Sequence, residues 1–130
     1  MAITKRQQLL WKSCASIAQQ RQLAGEFETA ENQYRLSLLL ARHSRGPWHE
    51  DVGEALINLA DFFASVGRFA EAERHYRDAL VVYERVFGPD NVVLAMIYRV
   101  LSELFLTQRR STEARLLQAR CSAILHKKAS

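Results

Sequence analysis

At 130 residues the chain can bury one continuous core but not two independent ones. Its 48% hydrophobic and 25% charged residues are the balance of a soluble globular protein, and no apolar run approaches the 18 residues that a membrane span needs. The net charge of +4 is spread as 7 basic and 4 acidic groups over residues 1–50, 5 and 8 over 51–100, and 6 and 2 over 101–130, which lacks the single basic stripe of a nucleic-acid binder.

Two prolines and five glycines leave little room for strands, so the elements are expected to be helices, near residues 5–23, 27–44, 49–65, 69–87, 90–108 and 111–127. Ahead of the first, Met1-Ala-Ile-Thr-Lys-Arg-Gln-Gln carries no apolar leader region, so the protein is expected to be cytoplasmic. Thr4 is placed to cap this helix, with Gln7 completing a capping box. The second helix follows Gly25 and ends before Gly46-Pro47. In the third, Ala55, Leu56, Leu59, Ala60 and Phe63 recur at three and four residues, the stripe of an amphipathic helix, and Gly67 ends it. Phe69, Ala72, Tyr76, Ala79 and Leu80 rebuild that spacing in the fourth, which Gly88-Pro89 closes because proline cannot donate to a continuing helix. The sixth carries Leu117, Cys121, Ile124 and Leu125 as its inner stripe and the basic tail Arg109, Arg110, Arg115, Arg120, Lys127 and Lys128, expected to be a solvated face. Cys14 and Cys121 lie in different helices without a CxxC or Cys/His partner and read as reduced, mostly buried thiols.

The segments repeat. A shift of 42 residues places Gly25-Glu26-Phe27-Glu28-Thr29-Ala30-Glu31 on Gly67-Arg68-Phe69-Ala70-Glu71-Ala72-Glu73, Tyr34-Arg35 on Tyr76-Arg77, and Gly46-Pro47 on Gly88-Pro89. A second shift carries Leu59 to Leu101, Phe63 to Phe105, and Glu71-Ala72 to Glu113-Ala114. Each unit is two helices joined by a tight turn, with alanines where the backbones approach closely. In the third unit Arg109 stands at the turn glycine and Gln118 at the aromatic position.

Leu56-x2-Leu59-Ala60-x2-Phe63, then Gly67, then Ala72-x3-Tyr76 and Ala79, resemble the tetratricopeptide signature. The 42-residue period, Leu56-Ile57-Asn58-Leu59-Ala60 and Phe87-Gly88-Pro89-Asp90 are similar to the kinesin-light-chain variety, whose eight residues beyond the 34-residue form add roughly 12 Å of helix. The resemblance implies an all-α solenoid, a right-handed superhelical stack of three antiparallel helix–turn–helix repeats near 5–46, 47–88 and 89–128 in one domain spanning 1–130.

Little in the chain suggests catalysis. His43, His49, His75 and His126 show no metal-ligand spacing, and His43, His49, Glu50 and Asp51 around Gly46-Pro47 read as a solvated loop ahead of a divalent-metal site. There is no phosphate-cradling glycine loop and no nucleophile elbow. Glu71 and Glu73 lie beside Arg68, Arg74 and Arg77, as surface ion pairs would. No enzyme activity, metal or cofactor is expected. A curved stack instead offers a concave face lined by the first helix of each pair. Its outward residues include Lys12, Ala15, Ser16, Gln19 and Gln22, then Glu54, Ile57, Asn58, Asp61 and Ser65, then Met96, Arg99, Val100, Glu103 and Leu106.

Lys12, Gln19, Asn58, Asp61, Arg99 and Glu103 are the candidate contacts for a peptide or partner protein. The Asn58 amide can both donate to and accept from a peptide backbone, the role the resemblance implies for it; the alternative is a cap or bridge between helices. Lys12 and Arg99 suit a carboxylate, while Glu54, Asp61 and Glu103 disfavour a densely acidic ligand, so a mixed-charge peptide fits best. A homo-oligomer paired through an exposed Leu116/Ala123 patch is the second reading, and RNA bound by the basic tail a weaker third. The large aromatics, Phe87 and Tyr98 among them, are expected in the core; Trp11 and Trp48 seal hairpin ends or, if exposed, anchor an interface.

Overall fold

The computed structural model describes residues 4–129. They form six α-helices: α1 (Lys5–Leu23), α2 (Phe27–Arg45), α3 (Glu50–Ser65), α4 (Phe69–Phe87), α5 (Val92–Thr107) and α6 (Ser111–Ala129). The ends have identifiable causes. Thr4 caps α1: its Oγ1 accepts from Gln7 N at 3.2 Å, and its own N–H donates to Gln7 Oε1 at 2.8 Å. His49 caps α3 through Nδ1, which accepts from Asp51 N at 3.0 Å. Asn91 caps α5 by accepting from Val93 N at 2.8 Å, so that helix begins two residues later than the apolar pattern alone predicts.

The helices pack as hairpins, α1 on α2, α3 on α4 and α5 on α6, and the hairpins stack through α2–α3 and α4–α5. Each hairpin buries one small residue on each of its helices at the 42-residue register: Ala18 and Ala30, Ala60 and Ala72, Ser102 and Ala114. Ser102 keeps a hydroxyl in this position at no unsatisfied cost, because its Oγ donates to Arg99 O at 2.7 Å. Around these pairs lie Trp11, Leu56, Leu59, Phe62, Phe63, Leu101 and Phe105, all fully buried. Gly53 is part of the same close packing: an added Cβ would stand 2.6 Å from Tyr83 Cε2.

Four expectations are corrected. Phe87 is exposed and stacks on Tyr83 at 6.1 Å, at the open end of its hairpin where no further helix turn covers it. Tyr98 is half-buried. Leu125 is exposed, so the inner stripe of α6 reduces to Ala114, Leu117 and Ile124 with Cys121 half-buried beside them. Both thiols are free and half-buried, not mostly buried; burial still pushes the Cys14 thiol up. The two tryptophans part company: Trp11 is in the core, whereas Trp48 is exposed with the Arg85 guanidinium 4.1 Å from its ring centre.

The three hairpin turns share one geometry. Glu26, Arg68 and Arg110 each donate their backbone N–H to the carbonyl five residues back, at 2.9, 2.8 and 2.8 Å. The residue before each is left-handed: Gly25 at φ +79°, Gly67 at +81° and Arg109 at +59°. A side chain in that region costs about 1–2 kcal/mol, partly offset by the greater freedom of glycine in the unfolded chain. Arg109→Gly is therefore expected to stabilise the fold by about 0.5–1 kcal/mol, measured by chemical denaturation.

His75 is buried on α4, its ring 5.2 Å from Phe63 and its Nδ1 2.7 Å from Glu71 O. A carbonyl only accepts, so Nδ1 carries the proton. Burial holds the imidazole below the usual histidine range. The unfolded chain then binds more protons between the depressed and the ordinary value, so stability falls as pH drops below about 6.5. His75→Leu, the residue at the matching position 117, is expected to lose less melting temperature than the wild type between neutral and mildly acidic pH.

Candidate functional site

Helices α1 and α3 lie side by side and present their outward faces to an open cleft of about 700 Å³. From α1 come Lys12, Ala15, Ser16, Gln19, Gln22 and Leu23, and from α3 Glu54, Asn58, Asp61 and Ser65. Trp11, Tyr34 and Phe62 form the floor, with Tyr34 and Phe62 in ring contact at 5.4 Å.

One wall is fixed by a run of hydrogen bonds. Tyr34 Oη donates to Gln22 Oε1 at 2.9 Å, Gln22 Nε2 donates to Ser65 Oγ at 3.0 Å, and Ser65 Oγ donates to Phe62 O at 2.6 Å. The run joins α2, α1 and α3, and so sets the spacing of the two helices that form the cleft. On α3, Tyr76 Oη donates to the Asp61 carboxylate. Desolvation nevertheless pushes the Asp61 carboxyl up, with the Tyr76 bond opposing it. Asn58 is half-buried in the middle of the α3 stripe and makes no hydrogen bond to another described residue. Capping and bridging fall to Thr4, His49, Asn91 and the Gln22–Ser65 pair, and the Asn58 amide is left facing the cleft with its donors and acceptor open. Lys12 stands at the α1 edge, its Nζ 5.7 Å from the Trp11 ring centre. Beneath it the Trp11 Nε1–H is buried without an acceptor among the described residues.

Of the six residues singled out in the sequence, Lys12, Gln19, Asn58 and Asp61 meet in this cleft. Glu103 belongs to a smaller depression of about 250 Å³ beside Tyr76, Val100 and Thr107. Arg99 is exposed on α5 and lines neither.

Between repeats the sequence reading missed a two-fold recurring clamp. The Arg68 guanidinium lies 4.5 Å from the Phe63 ring centre, takes Glu71 in a fork at 2.7 and 2.8 Å, and reaches back to Glu31 of the preceding repeat. Arg110 does likewise over Phe105 at 4.1 Å, with Glu113 at 2.8 and 2.5 Å and Glu73 at 2.6 Å. These arginines hold the Glu71 and Glu113 carboxyls below the usual carboxylate range. The 42-residue register of Arg68/Arg110 against Glu31/Glu73 carries the signal. Arg110 is thus engaged between repeats, Arg120 lies 5.9 Å from the Tyr98 ring centre, and Lys127 forms an exposed ion pair with Asp90 at 2.7 Å.

Around the first inter-repeat loop His49 serves as a helix cap, and Asp51 accepts from Arg45 Nε at 3.0 Å. Among the described residues no three His, Cys, Asp or Glu side chains converge to hold a metal ion, and no helix is long and apolar enough to cross a membrane.

The tetratricopeptide repeat family model matches residues 11–80 and 51–127, and the chain belongs to that family. Repeats of this kind generally mediate protein–protein contacts as non-catalytic scaffolds. Among solved structures, the crystal structure of BtubC (BKLC) from P. vanneervenii superposes with a TM-score of 0.82 at 24% identity, over 93% of this chain and 48% of that one. The chain thus spans about half the length of that neighbour. No curated protein matches.

Tyr34→Phe removes the bond that steadies Gln22. It is expected to cost about 0.5–1.5 kcal/mol, read by denaturant unfolding, with the backbone fold retained in circular dichroism.

Proposed function

We propose that the three repeats act as one cytoplasmic binding domain whose cleft between α1 and α3 holds an extended segment of a partner protein, without a cofactor and without catalysis. The observation that carries this reading is Asn58: a half-buried amide with open donors and acceptor in a cleft where Tyr34, Gln22 and Ser65 are paired with one another. An extended peptide presents alternating N–H and C=O groups, which one primary amide matches irrespective of side chains. Lys12 on one rim and Glu54 and Asp61 on the other suit a ligand of mixed charge. Arg99 and Glu103 contribute only where a longer segment continues past α5.

The test compares capture from native lysate by the wild type and by an Asn58→Ala, Gln19→Ala variant of unchanged melting temperature. A partner retained by the first and lost by the second is the expected result. Titration of a peptide mapped from that partner should then show binding weakened about tenfold or more. Equal retention by both proteins would place recognition outside the cleft.

A further inference from the structure

The contacts between successive repeats occupy fixed positions, so the same positions on the two outer faces of the stack can be compared with them. In the clamp, the turn residue of one repeat meets a residue on the second helix of the repeat before it: Arg68 with Glu31, and Arg110 with Glu73. Stepping by 42 residues, the first repeat presents Glu26 at the turn position and the third presents Arg115 at the receiving position. These two are opposite in charge, with the signs exchanged relative to both internal clamps. Among the described residues Glu26 is held only by Arg21, at 3.2 Å, and both side chains remain about half exposed.

A second contact behaves in the same way. Gln22 of the first repeat bonds Ser65 of the second at 3.0 Å, and the matching Ala64 and Thr107 line one depression between the second and third. The next step pairs Leu106 with position 23, which is Leu23. Both are apolar and open to solvent, Leu106 at 48% and Leu23 at 82%. On α1, Leu10 and Ile17 are each 42% exposed, although their counterparts Val52, Leu94, Leu59 and Leu101 in the later repeats are at most 1% exposed. Repeats two and three differ from repeat one in having a hairpin stacked in front of them.

From these complementary ends we infer that the occupant of the first repeat's outer face is the third repeat of a second copy, docked head to tail with the geometry of an internal repeat junction. Glu26 of one copy pairs with Arg115 of the next, Leu23 packs on Leu106, and Leu10 and Ile17 are covered as their counterparts are. The contact is heterologous, so each added copy presents again the face that its predecessor used. The result is an open linear assembly. It uses the ends of the stack and shares Leu23 with the lining of the cleft, whereas Glu26 and Arg115 lie outside that lining.

Sedimentation equilibrium over a wide concentration range tests this directly. The expected mass rises continuously with concentration and passes that of a dimer. Glu26→Arg and Arg115→Glu, both exposed substitutions, should each weaken self-association about tenfold by setting like charges against one another. Mixing the two variants should restore it, because every junction in the mixture can again pair an arginine with a glutamate. Leu23→Asp should weaken association in both settings. A mass fixed at 14.9 kDa at all concentrations, a mass that stops at a dimer, or charge variants that associate like the wild type would each overturn the inference.

Discussion

The close approach of the two helices within each hairpin is the constraint from which the rest of the structure follows. Ala18 and Ala30, Ala60 and Ala72, and Ser102 and Ala114 are almost without solvent exposure, and none extends beyond its β-substituent. A larger side chain there would separate the helices by more than the surrounding core can fill, at a cost of about 1–3 kcal/mol. With the helices this close, the large residues Leu56, Leu59, Phe63 and Phe105 are confined to the flanks of the crossing, where they meet the neighbouring hairpin. Burial is therefore shared between hairpins, and no hairpin is complete alone.

The arginine clamps act on this arrangement as a register. Their carboxylate partners remain partly exposed, so each ion pair is screened and adds little by itself. What they specify is position. A guanidinium that must lie over Phe63, fork onto Glu71 and still reach Glu31 has few solutions, and these fix the height of the second hairpin on the first. Arg35 and Arg77 approach the same two rings, at 5.4 and 5.6 Å, and enclose each phenylalanine between charges of adjacent repeats.

The helices were legible because their boundaries are chemical. Glycine, proline and capping side chains stop and start helices by local rules that need no tertiary information, and the largest shifts are two residues, at the start of α5, where Asn91 takes the cap beyond Pro89, and at the end of α6. Most of the cleft was legible for a similar reason: helical periodicity decides which face of α1 and α3 turns away from the hairpin partner, and Lys12, Gln19, Asn58 and Asp61 follow from it. Periodicity says nothing about the angle between repeats. That angle puts Tyr34 of a second helix into the floor, joins Gln22 to Ser65, and leaves Arg99 outside the cleft. Phe87 and Leu125 show the same limit, since both keep helical phase with the core yet lie where no neighbouring element covers them.

The third repeat departs from the other two selectively. Phe105, Ala114 and Ile124, which face the preceding hairpin or their own partner helix, keep the apolar character of Phe63, Ala72 and Val82 in the second repeat, and Leu117 is buried where that repeat has the buried His75. At Arg109, Arg115, Gln118 and Ser122 a residue type shared by both earlier repeats (glycine, glutamate, tyrosine and leucine) is replaced, and all four lie outside the buried set. Arg109 even retains the left-handed turn that its side chain disfavours, because the Arg110 N–H to Phe105 carbonyl bond and the clamp built on Arg110 require that chain path. Contacts with the second repeat thus dictate the backbone, while the free face is released to carry different chemistry. A repeat that had merely drifted would lose inner and outer positions alike. One that keeps its inner positions and exchanges the sign of its outer clamp residue is shaped for something other than another copy of the internal junction's own charges.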